Sequence, residues 1–344
     1  MKAAVLYGPG DLRIEERPQP KPGPGEALVQ VTASGVCNSD LHRVRVAEAP
    51  RLPLVIGHEF AGKVVARGED SRAEVGARVA VYPLLPCGAC PSCRRRLFEC
   101  CSDYSYYGSR RDGGLAEFTA VRSENLVPLP DGVSDSEAAM SEPAAVALHA
   151  LNRAGLRKGE CLAVLGAGPM GLLAAQIARA RGAHDVILLD VAEEPLEFAR
   201  SFGFAKTARS DAADVGRRVK DLAGAGGPEV VLEAAGAAAA YRLALELAAP
   251  AARVVFMGNI SGDLLLPQKL TSSILRKQLQ IFGSWNSSLV NPENEWAAVH
   301  AMIARREVLP EKLISHRLRL EEIPGAIRWM QERREVFRKV MVIF

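Results

Sequence analysis

The chain has 344 residues, 43 Lys plus Arg against 40 Asp plus Glu, a net charge of +3 and 6% aromatic residues. That length exceeds one ordinary domain and predicts two. Charges this evenly interspersed exclude a nucleic-acid face or a membrane-binding helix, and the one basic run, Arg94, Arg95 and Arg96, reads as a solvated loop.

The first residues, MKAAVLYGPGDLRIEERPQP, mix charges and prolines where a signal peptide would be apolar, so the expected location is cytoplasmic. Residues 26–35 alternate apolar and polar side chains, and 60–66 and 77–82 repeat Val and Ala between Gly and Pro. These are strands of a β-rich first part. From about 149 the texture changes: CLAVLG reads as a buried strand, PMGLLAAQIARARG as a helix, HDVILLD as a second strand and EEPLEFARSFG as a helix closed by Gly203. The apolar run from Cys161 approaches membrane-spanning length, but glycines and a proline at its middle break it into strand, turn and helix, so no membrane segment is expected. EVVLEAAG at 229–236, an alanine-rich helix at 238–249, RVVFMG at 253–258 and LQIFGSW continue the alternation. The pattern is that of an α/β chain with a doubly wound parallel sheet. After 285 it stops, and WAAVHAMIARREV and KVMVIF read as a helix and a closing strand that return to the first domain. The expected division is therefore 1–148 with 286–344, and 149–285 inserted between them.

Within AVLGAGPMG, Gly166, Gly168 and Gly171 form G-x-G-x-x-G, with Pro169 and Met170 in the intervening positions, directly after a strand and opening a helix. That context is what gives the motif meaning: a tight turn, a close backbone approach to a pyrophosphate, and tight packing of helix on strand. The free N–H groups at the start of the helix add a positive dipole end. Asp190 ends the next strand at the position from which a carboxylate accepts bonds from ribose hydroxyls and repels a 2′-phosphate; no arginine follows in VAEEP. NAD is the expected cofactor, and a helix-capping aspartate is the plain alternative.

Five of the seven cysteines fall in PCGACPSCRRRLFECC. In a reducing compartment such a cluster points to a metal rather than to disulfides, in keeping with the odd total. Cys87, Cys90 and Cys93 are spaced to reach one ion, and a fourth thiolate follows at Cys100 or Cys101; spacing does not choose between them. Four thiolates close a tetrahedral zinc site with no vacancy for substrate, an iron–sulfur cluster being the alternative. Chemistry needs an open site, for which the candidates are Cys37 in GVCNSDLH, His58 and Glu59 in IGHEFAG, and Glu142 in SEPAAVALH. Taken singly they also read as a buried thiol, a core histidine and a helix-start carboxylate.

The pattern GHE-x2-G-x5-G, here Gly57, His58, Glu59, Gly62 and Gly68, resembles the zinc signature of the medium-chain alcohol and polyol dehydrogenases. Cys-x-Ser-Asp before it, and the four-cysteine lobe and the dinucleotide motif after it, stand in that family's order, so the resemblance spans essentially the whole chain. It implies a GroES-like β-rich catalytic domain, a Rossmann NAD-binding domain, and two zinc ions per subunit in a homodimer or homotetramer. The catalytic zinc would be held by Cys37, His58 and Glu59, with Glu142 as a further acidic residue that binds directly or through water. Which carboxylate ligates is left open. The family's lobe spacing takes Cys101 with Cys87, Cys90 and Cys93 and leaves Cys100 over. Zinc would act as a Lewis acid on a substrate hydroxyl while hydride passes to the nicotinamide, and Ser39 would hand the proton towards His42.

Carboxylates where an alcohol dehydrogenase proper usually has cysteine match the polyol branch. VYPLLPCGACPSC, YGSRRDGGLAEF, SEPAAVALHA, SILRKQLQIFGSW and LISHR resemble most the members acting on a hexitol phosphate, and SWNSS near 285 departs from ordinary sorbitol dehydrogenases. Arg110 and Arg111 are candidate phosphate donors, a charged surface turn being the alternative. The expected small-molecule partner is thus a polyol phosphate, with a free polyol or sugar acid as runner-up. A catalytically silent NAD-binding zinc protein is the alternative of another class, against which the complete residue set counts.

Overall fold

The computed structural model describes residues 1–47, 49–224, 226–290 and 292–344. They form two compact units, Met1–Pro143 with Ser288–Phe344, and Ala144–Ser287. The first boundary falls inside the helix Ser141–Ala154, which neither the strand texture before it nor the alternation after 149 marks.

The first unit is built around the long strand Glu26–Val36, which pairs antiparallel with Glu59–Arg67, Phe118–Arg122 and the C-terminal strand Lys339–Ile343. The period-2 pattern of EALVQV turns Ala27, Val29 and Val31 into a core with Phe60, Val64, Val79 and Val81. A second core gathers Leu6, Val36, Leu54, Ile56, Val340 and Val342 under the helix Ile323–Gln331. Each fully buried aliphatic side chain of this kind stabilises by roughly 1.5–3 kcal/mol, so the sheet is a rigid platform. Polar chemistry then falls to the strand ends. The register Gly35↔Glu59 and Met341↔Gly35 sets three distant segments side by side at one such end. Directly after it the chain forms the short helix Asn38–Val46, in which only Asp40 and Val44 are buried. A helix so polar on its remaining faces has no 3.6-residue apolar period to read.

The second unit is a six-stranded sheet in the order Thr207–Arg209, Asp185–Asp190, Cys161–Leu165, Val230–Glu233, Arg253–Phe256, Gln280–Gly283, with every neighbouring pair parallel. This is the doubly wound α/β sheet that the alternation predicts. Strand order reverses between Cys161–Leu165 and Val230–Glu233, the position at which such sheets open a crevice beyond the strand ends. The strand Thr207–Arg209, three residues at the sheet edge, is too short to carry a periodic signal. Among the described residues no helix is long and apolar enough to cross a membrane.

Candidate metal centres and dinucleotide loop

Glu59 opens its strand opposite Gly35, where a Cβ would stand 2.3 Å from Glu59 Oε2. Only glycine leaves the room in which this carboxylate lies. Cys37 caps the helix Asn38–Val46, and the Asp40 carboxylate at the third helical position accepts the Cys37 backbone N–H at 3.0 Å. These local devices, with His58 next to Glu59, bring ligand atoms of Cys37, His58 and Glu59 within 4.8 Å of one another.

Three residues with no assigned role in the sequence reading complete the surroundings. Asp40, fully buried, places Oδ1 3.4 Å from His58 Nδ1 and thereby orients the ring. Lys339 sends Nζ to both oxygens of Glu59, at 2.8 and 2.6 Å, with both side chains buried. The Tyr106 hydroxyl donates to Glu142 Oε1 at 3.1 Å. Burial works to raise the Asp40 carboxyl, but the His58 ring and the Cys37 N–H outweigh it and hold it below its ordinary value. Burial of His58 works against its proton, yet Asp40 and Cys37 raise its affinity well above the ordinary imidazole. Burial, reinforced by the charge of Glu59, lifts the Glu142 carboxyl above its usual range. Burial alone would lower Lys339, and the facing Glu59 raises it instead. A thiol, an imidazole and carboxylates in a buried, electron-rich group form a donor set that fits zinc. Glu142 faces the same group but lies outside the 4.8 Å set.

Ser39 and His42 occupy one face of the helix at i and i+3, both exposed within their own unit, with Arg45 Nη2 3.3 Å from His42 Nδ1.

The cysteine lobe has the opposite character. Cys87, Cys90, Cys93 and Cys101 bring their sulfurs within 4.8 Å of one another, with Cys87–Cys93 at 4.0 Å and Cys90–Cys101 at 3.9 Å. Tetrahedral zinc with Zn–S bonds of about 2.3 Å would need sulfur separations of about 3.8 Å. Backbone N–H groups of Cys90, Cys93 and Cys87 point at the sulfurs of Cys87, Cys90 and Cys101 at 3.4, 3.5 and 3.3 Å. Such donors lower the Cys87 thiol and draw Cys90 down to about 5, while burial pushes Cys93 up to about 12. The short 3₁₀ turn Phe98–Cys100 decides between the adjacent cysteines: it leaves Cys100 exposed and turns Cys101 into the buried group.

In the second unit the strand Cys161–Leu165 runs into Gly166 at φ +102°, followed by the helix Pro169–Ala180 with Pro169 at its first position and Met170 next. A Cβ on Gly171 would stand 1.9 Å from the Gly166 carbonyl oxygen, whereas one on Gly168 would meet nothing within 4 Å. Gly171 therefore serves packing, and the backbone at Gly168 is open to an incoming group. Asp190 accepts Ala167 N–H at 2.9 Å through Oδ2 and Ala192 N–H at 3.0 Å through Oδ1, which fixes its carboxylate beside the glycine turn.

A β-rich unit with a buried thiol–imidazole–carboxylate group and a four-thiolate lobe, in one chain with a doubly wound nucleotide-type sheet, defines a metal-dependent dehydrogenase. Residues 23–131 match the alcohol dehydrogenase GroES-like domain and residues 169–305 the zinc-binding dehydrogenase family, and the chain belongs to the zinc-dependent, NAD(P)-linked alcohol dehydrogenases of that family. It is 36% identical over 331 residues to galactitol 1-phosphate 5-dehydrogenase of Escherichia coli K12, covering 95% of this chain and 96% of that protein. The crystal structure of galactitol-1-phosphate dehydrogenase from E. coli superposes with a TM-score of 0.93 at 35% identity over 100% of both chains. RspB from E. coli CFT073, solved with NADH, gives 0.91 at 32% identity over 100% of this chain and 99% of that one.

Proposed function

We propose that this chain oxidises a secondary alcohol of a hexitol phosphate to the ketose, in the manner of galactitol 1-phosphate 5-dehydrogenase, with NAD as hydride acceptor. The observation that carries the reading is the group of half-buried Cys37 with buried His58 and Glu59, and Glu142 beside it, a carboxylate-rich donor set suited to a polyol. Zinc held by Cys37, His58 and Glu59 would supply Lewis-acid polarisation of the substrate hydroxyl. Asp40 fixes the His58 ring, Lys339 holds Glu59, and Tyr106 orients Glu142. Ser39 takes up the hydroxyl proton as it releases its own towards His42, on the same helix face, and so to solvent. Cys87, Cys90, Cys93 and Cys101 hold a second, structural zinc.

One observation favours an unphosphorylated polyol instead: Arg111 is engaged by Glu26 at 3.1 Å rather than turned to the metal group. Initial rates of NAD reduction with galactitol 1-phosphate, sorbitol, xylitol and idonate decide between the two. Preference for the phosphate ester supports the leading reading, preference for the free polyols replaces it, and no turnover by zinc-replete protein removes the enzyme assignment for these substrates.

For the cofactor, Asp190→Ala is expected to raise the KM for NAD by about tenfold while lowering that for NADP, because a ribose acceptor and a repelling charge go together. Unaltered cofactor kinetics would refute its assigned role. Assembly as a homo-oligomer is supported by the edge strand Gln280–Gly283, which among the described residues has a neighbour on one side only, and by exposed Leu275, Ile281 and Trp285 on or beside it. Ile281→Lys should shift the sedimentation coefficient to that of a monomer. An unchanged assembly would place the interface elsewhere.

A further inference from the structure

The first unit contains a cleft of about 620 Å³ whose lining includes Arg17, Arg51, Arg110, Arg111 and Asp112. None of Cys37, Ser39, His58, Glu59 or Glu142 contributes to it. Four guanidinium groups thus share a concavity with one carboxylate. Two of them are neutralised nearby, Arg51 by Asp112 at 3.2 Å and Arg111 by Glu26 at 3.1 Å. The other two are matched less fully. Arg110 donates to the Tyr104 carbonyl at 3.1 Å and lies over the Tyr104 ring at 4.1 Å, with no carboxylate partner among the described residues. Arg17 pairs at long range with Glu15, 3.9 Å from its Nε, while its Nη1 is buried without a hydrogen-bond partner among the described residues.

A guanidinium N–H withdrawn from water and left unsatisfied is costly, so such groups are ordinarily matched by an acceptor. The planar fork of arginine suits two oxygens of one anion, and aromatic stacking of the kind made by Arg110 and Tyr104 holds a second fork in place without consuming its charge. We infer that this cleft is a binding site for a phosphate-type dianion, anchored by Arg17 and Arg110 and placed outside the metal group. Arg51 and Arg111, already paired, add long-range attraction rather than direct bonds.

The probe is inorganic phosphate, titrated calorimetrically into the zinc-loaded protein at fixed ionic strength. One site per chain is expected, with Arg17→Gln and Arg110→Gln each weakening it at least tenfold while the melting temperature stays within a few degrees. Absence of binding, or equal affinity in wild type and both variants, overturns the inference. Chloride at matched ionic strength giving the same heats also overturns it, because screening rather than a site would then be measured. Turnover is not needed, so the inference stands or falls independently of the proposed reaction. Kinetics then separate the two sources of phosphate. A raised KM for galactitol 1-phosphate in Arg17→Gln, with phosphate competitive in wild type, makes the anion the substrate's own ester. An unchanged KM makes it a separate phosphate-bearing ligand.

Discussion

Cys101→Ser is expected to lower the melting temperature by about 10 °C or more and to reduce bound zinc from about two ions per chain to about one, whereas Cys100→Ser leaves both unchanged. Structural zinc sites contribute folding free energy directly, on the order of 10 kcal/mol in small zinc modules. Losing one of four thiolates from a closed tetrahedral site forfeits a large part of that. The lobe buries little else: among Pro91–Arg94 and the following turn, Cys93 and Glu99 are the buried side chains, and the segment is otherwise tied by its own turn hydrogen bonds and by backbone N–H groups pointing at sulfur. Cys100 sits one residue away on the exposed side of the 3₁₀ turn, so serine there removes nothing the site needs. Differential scanning calorimetry with zinc analysis checks both variants. Equal effects of the two substitutions would show that the adjacent cysteines are interchangeable and that the turn does not select between them.

The parallel sheet is legible in the sequence because its central strands are short buried apolar runs, as in CLAVLG and HDVILLD. Its weakest member, Thr207–Arg209, is not, since three residues at an edge carry no period. The surroundings of the candidate site divide along the same physical line. Cys37, His58 and Glu59 stand in short motifs whose spacing survives in one dimension. Lys339 reaches Glu59 across 280 positions, and nothing in KVMVIF distinguishes its lysine from one at a solvent-facing strand end. Only the antiparallel register of Lys339–Ile343 on Glu26–Val36 makes it a neighbour. Tyr106 likewise meets Glu142 through tertiary structure alone. Arg111 reads in sequence as a candidate phosphate donor or as part of a charged surface turn, and the fold gives it Glu26 as partner. Local motifs therefore announce the candidate metal-binding residues, while the groups that set their charge and orientation emerge only from the fold.

That division makes Lys339→Met the sharpest test of the site's electrostatics. Methionine keeps the length of the side chain but leaves the Glu59 carboxylate buried, 1% exposed, without its cation. Removing one partner of a buried ion pair costs about 3–5 kcal/mol, because the survivor keeps its desolvation penalty and loses the charge that offset it. Zinc-free Lys339→Met is expected to be destabilised by that amount in urea unfolding. The companion Lys339→Met/Glu59→Gln should recover most of it, since the remaining amide carries no charge, and the two single changes then combine far from additively. Zinc should rescue the single variant more than the double one, as a bound cation beside Glu59 replaces the missing ammonium. Turnover of the zinc-loaded single variant should nonetheless fall by about tenfold or more, for Glu59 then lacks the contact that fixes its position. Wild-type stability in the zinc-free single variant would show that Glu59 does not depend on Lys339. Equal zinc rescue of both variants would show that Glu59 is not among the groups the metal meets.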